Sequence, residues 1–154
     1  MIDKTKIKDS VIKDLEREIL ECERSVETAK SDMMDAEGPM LTRYDTRRHE
    51  LGTLADAQYL RLQELKDSLR EIQNFELFPT EQVMVGSYVM TMDEKDVSTH
   101  YMVLPCAGGT KVKHDDNNIT ILSVKSPLYH AMRGKKEGDD VEFRGKEVYI
   151  EKLV

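Results

Sequence analysis

Three carboxylates stand just ahead of a Gly-Pro pair in the stretch SDMMDAEGPMLTRYD, residues 31–45. They are Asp32, Asp35 and Glu37. Asp32 precedes Asp35 by about one helical turn, so the two acids share a helix face. Carboxylates supply hard oxygen ligands, but acids near a helix end are also common as plain solvated surface. The negative end of a helix dipole disfavours acids at a helix C-terminus, which argues against the plain surface role.

The elements around these acids are predicted by the spacing of apolar residues. Before the acids, the periodic positions are Ile12, Leu15, Ile19, Cys22, Val26, Ala29, Met33 and Ala36. After Gly38-Pro39 they are Tyr44, Arg48, Leu51, Ala55, Gln58, Leu62, Leu65, Leu69 and Ile72. Alternating steps of 3 and 4 are typical of a heptad seam. The sequence therefore predicts two long helices, each burying a narrow stripe.

A Gly-Pro pair between two seams of similar length predicts an antiparallel helical hairpin. Gly38 suits the end of the first helix, and Pro39 suits a turn or the first position of the second. Arms of roughly 33 residues extend about 50 Å. We expect a coiled-coil domain at 1–75 that protrudes like a finger, with its tip near 35–41. Packing of both helices into a compact bundle is the alternative.

The second half of the chain predicts a small β-rich domain at 76–154. The stretch NFELFPTEQ, residues 74–82, marks the boundary, with Pro79 as the helix stop. About five strands follow, including VMVGSYVMTM at 83–92, STHYMVLP at 98–105 and a strand through Ile119, Ile121 and Val124. Gly86 predicts a bulge or a close approach, and Gly145 the turn of a closing hairpin. The predicted fold class is therefore α+β, in two domains.

One short helix is predicted within this domain, in the run SPLYHAMRG. Ser126 suits the N-cap, Pro127 suits the first helical position, and Gly134 suits the C-terminal stop.

Composition limits the classes of function. The charged fraction is 34% and the net charge is −7, which argues against a protein that wraps nucleic acid through phosphate contacts. No apolar run approaches the roughly 20 residues that cross a membrane, and the N-terminus lacks the apolar core of a signal peptide. Cys22 and Cys106 are far apart in sequence, so we expect buried thiols rather than a disulfide or a zinc site. We expect a cytoplasmic protein.

The run SPLYHAMRGKKEGDDVEF resembles the C-terminal signature of the bacterial Gre transcript-cleavage factors. The matching positions are Ser126, Pro127, Leu128, Ala131, Gly134, Lys135, Lys136, Gly138, Asp139 and Val141. The stretch VMVGSYV is similar to the family's first strand of that domain. The order of a helical hairpin and then a strand domain also agrees. The resemblance implies that the second domain is FKBP-like and that the signature residues form the part that binds polymerase.

The resemblance also implies a partner and a mechanism. Gre factors bind bacterial RNA polymerase from outside and insert the coiled coil into its secondary channel. The polymerase hydrolyses RNA with two Mg²⁺ ions, one of them poorly held, and Asp35 and Glu37, with Asp32 behind them, would help to hold that ion. The factor is then not an enzyme itself, binds no cofactor stably and meets the 3′ end of the nascent RNA only indirectly. We expect a monomer that associates with no membrane, and the family likeness also implies DNA binding within transcription.

Three arginines at the start of the second helix carry two interpretations. Arg43, Arg47 and Arg48 cluster on one side. They can neutralise nearby acids such as Asp45. The family resemblance implies contact with RNA or polymerase instead.

The predicted tip departs from the Gre pattern, which leaves alternatives open. A Gre tip has an Asp-Leu pair followed by Glu-Asn and Glu-Tyr, whereas this chain has DMMDAE. That run is closer to the Asp-x-x-Asp-x-Ala tip of DksA-like regulators, with Glu37 in place of the last Ala. The first hypothesis is therefore a factor that stimulates RNA cleavage, and the second is a secondary-channel regulator that does not. A prolyl isomerase is a third, and it is disfavoured because such a site needs an aromatic-lined pocket.

Overall fold

A computed structural model describes the backbone of residues 1–35 and 41–154 and the side chains of residues 1–32 and 52–154. Two long helices come first: α1 (Lys4–Asp35) and α2 (Leu41–Asn74). Six strands and one short helix follow: β1 (Tyr88–Asp93), β2 (Ser98–Val103), β3 (Lys111–His114), β4 (Asn117–Leu122), α3 (Pro127–Met132), β5 (Asp140–Phe143) and β6 (Lys146–Leu153). The predicted α+β class, helices first and strands second, is confirmed.

The contacts within the chain define two units. The sheet unit contains Met1–Lys13 and Glu71–Val154, and the helical unit contains Asp14–Arg70. The first turns of α1 and the last turn of α2 therefore group with the sheet. The predicted division into 1–75 and 76–154, and the protruding finger, stay predictions.

The seam predicted for α1 is confirmed in the helical unit. Its buried apolar side chains follow the heptad spacing on both helices: Leu15, Ile19, Cys22, Val26, Ala29, Leu62 and Leu65. Ala55, Gln58 and Leu69 are half-buried. Ile12 is half-buried while Val11 is buried, so the register at the start of α1 differs from the predicted one by one residue. The other predicted seam residues lie outside the described side chains: Met33, Ala36, Tyr44, Arg48 and Leu51.

The two helices of this unit run antiparallel. Arg61 pairs with Glu18 at 3.6 Å, and the Cys22 thiol donates to the carbonyl oxygen of Gln58 at 3.4 Å. A later residue of α1 thus meets an earlier residue of α2, as the hairpin prediction requires. A narrow apolar stripe with ion pairs at its edge explains why both helices are so highly charged.

The sheet has the strand order β3-β4-β2-β1-β6-β5. β2 and β4 pair in parallel, and the other neighbours pair antiparallel. One face packs against α3 in a buried cluster of eight residues: Val83, Val89, Val103, Leu122, Tyr129, Met132, Val141 and Ile150. This packing fixes the position of α3 and of the loop that follows it.

Several strand limits differ from the predicted ones. β1 begins at Tyr88 rather than at residue 83, because Gly86 has a φ of +96° and breaks the extended run. β2 ends at Val103, and β4 ends at Leu122, which leaves Val124 exposed outside the strand. α2 ends at Asn74, so Pro79 is not its direct stop. The described residues form six strands where about five were predicted, because Lys111–His114 adds an edge strand.

Candidate functional site

The acids of the predicted tip fall partly outside the described side chains. α1 continues to Asp35, so Asp32 and Asp35 lie in its last turn, and the Asp32 side chain is exposed. Glu37 lies outside the described backbone, and the Asp35 side chain outside the described side chains. A metal role for these acids stays a prediction.

The side chains of the three arginines at the start of α2 are likewise outside the described ones. Arg43, Arg47 and Arg48 lie in the first turns of α2. Neither local neutralisation nor contact with a partner is tested.

The signature residues are brought together in one continuous segment around α3. Ser126 is the N-cap in an extended conformation, and Pro127 occupies the start of the helix. The Ser126 side chain makes no capping hydrogen bond to the described residues, so this N-cap is weaker than the sequence predicts. After the helix, Gly134 has a φ of +78°, which an L side chain rarely adopts, and this confirms the predicted stop.

The segment after α3 is tied to the sheet unit by backbone hydrogen bonds. The N–H of Gly134 donates to the carbonyl oxygen of Val83 at 2.9 Å, and the N–H of Val83 donates to Lys135 at 2.7 Å. This reciprocal pair joins the signature to the chain before β1. No local pattern predicts Val83 as a partner, because residues this far apart in sequence meet only in the folded domain.

The Gly-Asp end of the signature is built as a turn. The N–H of Lys136 donates to the Asp139 carboxylate at 2.8 Å, and the N–H of Asp139 donates to the Lys136 carbonyl at 3.1 Å. The N–H of Gly138, which has a φ of +96°, donates to the carbonyl oxygen of Ile150 in β6, and the N–H of Ile150 donates to the carbonyl oxygen of Asp139, each at 2.9 Å. Asp139 therefore shapes the loop, and its carboxylate is already engaged.

The sequence does not predict the role of a second carboxylate in this loop, that of Glu137. The Glu137 carboxylate accepts from the N–H of Leu153 at 3.1 Å and so fastens the loop to the end of β6. A glutamate between a lysine and a glycine looks like an ordinary surface charge, so no local signal predicts this contact.

The apolar signature residues serve packing. Tyr129 and Met132 are buried in the cluster under α3, and Leu128 and Ala131 pack against it at partial exposure. Tyr129 stands where the Gre pattern commonly has Gly, and its ring fills the core beneath the helix.

The cations of the segment face solvent. Lys125, Arg133, Lys135 and Lys136 are exposed, and no acid interrupts residues 124–136. Within the described part of the chain, none of the four forms an ion pair. The two acids that follow, Glu137 and Asp139, are held by backbone N–H groups instead. The fold thus presents an exposed cationic loop, the α3 loop (residues 125–139), on a chain of net charge −7.

Two further features of the described residues concern metal ligands and cavities. Among the described residues, no group of three or more His, Cys, Asp or Glu side chains is arranged to hold a metal ion. An open groove of about 560 Å³ is lined by Met1–Lys6 and by Leu77, Phe78, Pro79 and Val154 in the sheet unit. None of these residues belongs to the α3 loop. No helix of the described chain is long and apolar enough to cross a membrane.

Comparisons with known proteins give a limited likeness. No protein-family model matches the chain, and no curated protein matches it. Among solved structures, the chain is similar to GreA factor homolog 1 (Gfh1) of Thermus thermophilus, with 17% identity, a TM-score of 0.38, and 93% of this chain and 94% of that chain covered. It is also similar to a structure described as the transcription factor Gfh1, with 18% identity, a TM-score of 0.38, and 94% and 93% covered. Gfh1 of Thermus aquaticus shows 14% identity, the same TM-score and 94% coverage of both chains. A likeness of this size does not by itself assign a family to the chain.

Proposed function

We propose that this protein is a Gre-like transcription elongation factor. It binds bacterial RNA polymerase through the α3 loop and inserts the helix pair into the secondary channel. There Asp35 and Glu37, with Asp32 behind them, complete the shell of the weakly held Mg²⁺ and stimulate RNA cleavage. The polymerase supplies the catalytic machinery, and the factor supplies the ligands.

The observation that carries the proposal is the build of the α3 loop. The residues that resemble the Gre signature form one segment whose backbone is hydrogen-bonded to Val83 and Ile150, and the Glu137 carboxylate within it accepts from the N–H of Leu153. Its lysines stay exposed, with no acid paired to them among the described residues. A loop with a hydrogen-bonded backbone and exposed cations suits docking on an acidic partner surface, because little backbone entropy remains to be lost on binding.

The helix pair supports the second part of the proposal. Its two helices run antiparallel, and the acids lie where the chain passes from α1 to α2. On this proposal the helix pair needs no complete metal site of its own. The exposed acids of one chain bind Mg²⁺ weakly, and the ion is held well only when another protein supplies the remaining ligands.

A second candidate function differs only at the tip. The run DMMDAE resembles the tip of DksA-like regulators more than the Gre tip. On this alternative the protein enters the same channel and regulates transcription without promoting cleavage.

One experiment separates the two candidates. The protein is added to a stalled, backtracked elongation complex with Mg²⁺, and the RNA is resolved by length. Shortened RNA supports cleavage stimulation. Intact RNA together with altered pausing or initiation supports the regulator. Failure to bind polymerase in a parallel pull-down rejects both.

A further inference from the structure

Two lysines of the first turns of α1 bind backbone carbonyl groups instead of acids. Lys8 Nζ donates to the carbonyl oxygen of Phe75 at 2.6 Å and to that of Gln73 at 3.3 Å. The Gln73 carbonyl is in the last turn of α2 and the Phe75 carbonyl follows one residue after its end, where the last carbonyl groups lack helical partners and the helix dipole is negative. The Lys8 ammonium, which belongs to α1, therefore caps the C-terminal end of α2.

Lys4 lies one turn before Lys8 on the same face of α1. Its Nζ donates to the carbonyl oxygen of Phe78 at 2.7 Å and to that of Gly86 at 3.0 Å. Burial lowers the pKa of this ammonium, as expected for a cation that has left water for carbonyl ligands. Lys4 thus fastens α1 to the connection that leads from α2 into β1.

The second of these carbonyls lies at a crowded point. Gly86 is buried, and a Cβ added there would lie 3.3 Å from the Phe75 ring. The ring tilts against Phe78, with ring centroids 6.4 Å apart. Three of the four carbonyl groups that bind the two lysines, those of Phe75, Phe78 and Gly86, therefore belong to residues that pack against one another.

We propose that Lys4 and Lys8 are positioning residues that hold the start of α1 and the end of α2 on the sheet unit as one body. This inference rests on the proposed function, in which the two helices carry acids to a metal ion. Groups that take part in a reaction tolerate little misplacement. Loosely held helix ends should therefore lower the effect of the tip acids on RNA cleavage while leaving the α3 loop, and hence polymerase binding, unchanged.

The test replaces both lysines with methionine, which keeps an unbranched side chain and removes the donor. The matched control is Lys6→Met with Lys13→Met, because both residues are exposed in the same helix. Two quantities are measured: hydrogen exchange of the amides in residues 1–13 and 71–88, and the concentration dependence of the effect on polymerase. We expect faster exchange in these segments, unchanged affinity for polymerase and a maximal effect reduced roughly tenfold or more. The control should match the wild type in every measurement.

The outcomes separate this inference from the proposed function. Unchanged exchange overturns the inference, and so does a loss of affinity that matches the loss of effect. If the wild type has no effect on polymerase, the proposed function fails, and hydrogen exchange alone decides the role of the lysines. If the double variant does not fold, Lys8→Met is measured in the same assays. Wild-type exchange in that variant also overturns the inference.

Discussion

The carboxylate of Asp139 accepts a hydrogen bond from the backbone N–H of Lys136 at 2.8 Å, so the acid of the signature holds the backbone of its lysine. The Lys136 side chain remains exposed. Asp139 therefore stabilises the backbone of the loop, while the Lys136 side chain is left facing solvent.

Asp139→Ala removes this carboxylate and leaves the N–H of Lys136 without its partner. We expect the free energy of unfolding of the sheet unit to fall by about 1.5 kcal/mol, the low end of the range for a hydrogen bond to a charged group, because this bond is exposed. Urea denaturation followed by circular dichroism measures it. The control is Asp140→Ala, because Asp140 is adjacent and exposed. Equal losses in the two variants would contradict a specific role for Asp139.

Lys135→Ala with Lys136→Ala removes two exposed charges of the α3 loop. We expect about tenfold weaker binding to RNA polymerase at low salt, with a smaller difference at high salt, because screening weakens exposed charge contacts. Stability should not change. Lys111→Ala with Lys113→Ala removes the same charge from the exposed edge strand β3 and serves as control. Wild-type affinity in the α3-loop variant would remove this loop from the interface.

Asp35→Ala with Glu37→Ala tests the proposed tip. Cleavage stimulation should disappear while polymerase binding and helix content stay at wild-type values, because the change removes only the carboxylates that we propose as metal ligands. Glu16→Ala with Glu27→Ala removes two exposed acids elsewhere on α1 and should act like the wild type. Retained cleavage in the tip variant rules out these two acids as the ligands.

Gly86→Ala introduces a side chain at a φ of +96° and 3.3 Å from the Phe75 ring. We expect a loss of about 2–3 kcal/mol in the free energy of unfolding. Gly109→Ala is the control, because Gly109 has a φ of +90° with open space around its Cβ position. That variant should lose only about 1 kcal/mol, the lower end of the cost of a left-handed backbone conformation for an L residue. Thermal unfolding of both proteins gives the difference, and equal losses would show that the Phe75 ring moves aside freely.

Asp93 makes the stability of the β1–β2 turn depend on pH. The backbone N–H groups of Val97 and Lys95 hold the pKa of its carboxyl below the ordinary value of 3.8. A group with a lowered folded pKa stabilises the fold above its unfolded pKa, and this stability is lost as the pH falls through the folded pKa. The urea midpoint of the wild type should therefore fall more steeply below pH 3.8 than that of Asp93→Asn, which keeps an acceptor oxygen and does not titrate. Glu94→Gln, an exposed change in the same turn, should follow the wild type, and parallel curves for all three proteins would count against this role for Asp93.

Features that depend on neighbours in the chain could be predicted from the sequence. The heptad steps from Leu15 to Ala29 predicted which residues are buried, because helical periodicity places them on one face. Gly134 marked the end of α3, and Gly145, at a φ of +74°, marked the β5–β6 turn, because few other residues adopt these conformations. The signature around Ser126–Asp139 is also visible in the sequence, because its residues are consecutive.

Only the tertiary structure decided which distant groups meet. The parallel pairing of β2 with β4, the contact of Val83 with Lys135 and the carbonyl contacts of Lys4 and Lys8 join residues far apart in sequence. A backbone group takes whichever partner the packing of the whole core brings within reach, and no local pattern names that partner. Periodicity and turn chemistry thus determined the elements, whereas burial of the sheet and of the helix ends determined their partners.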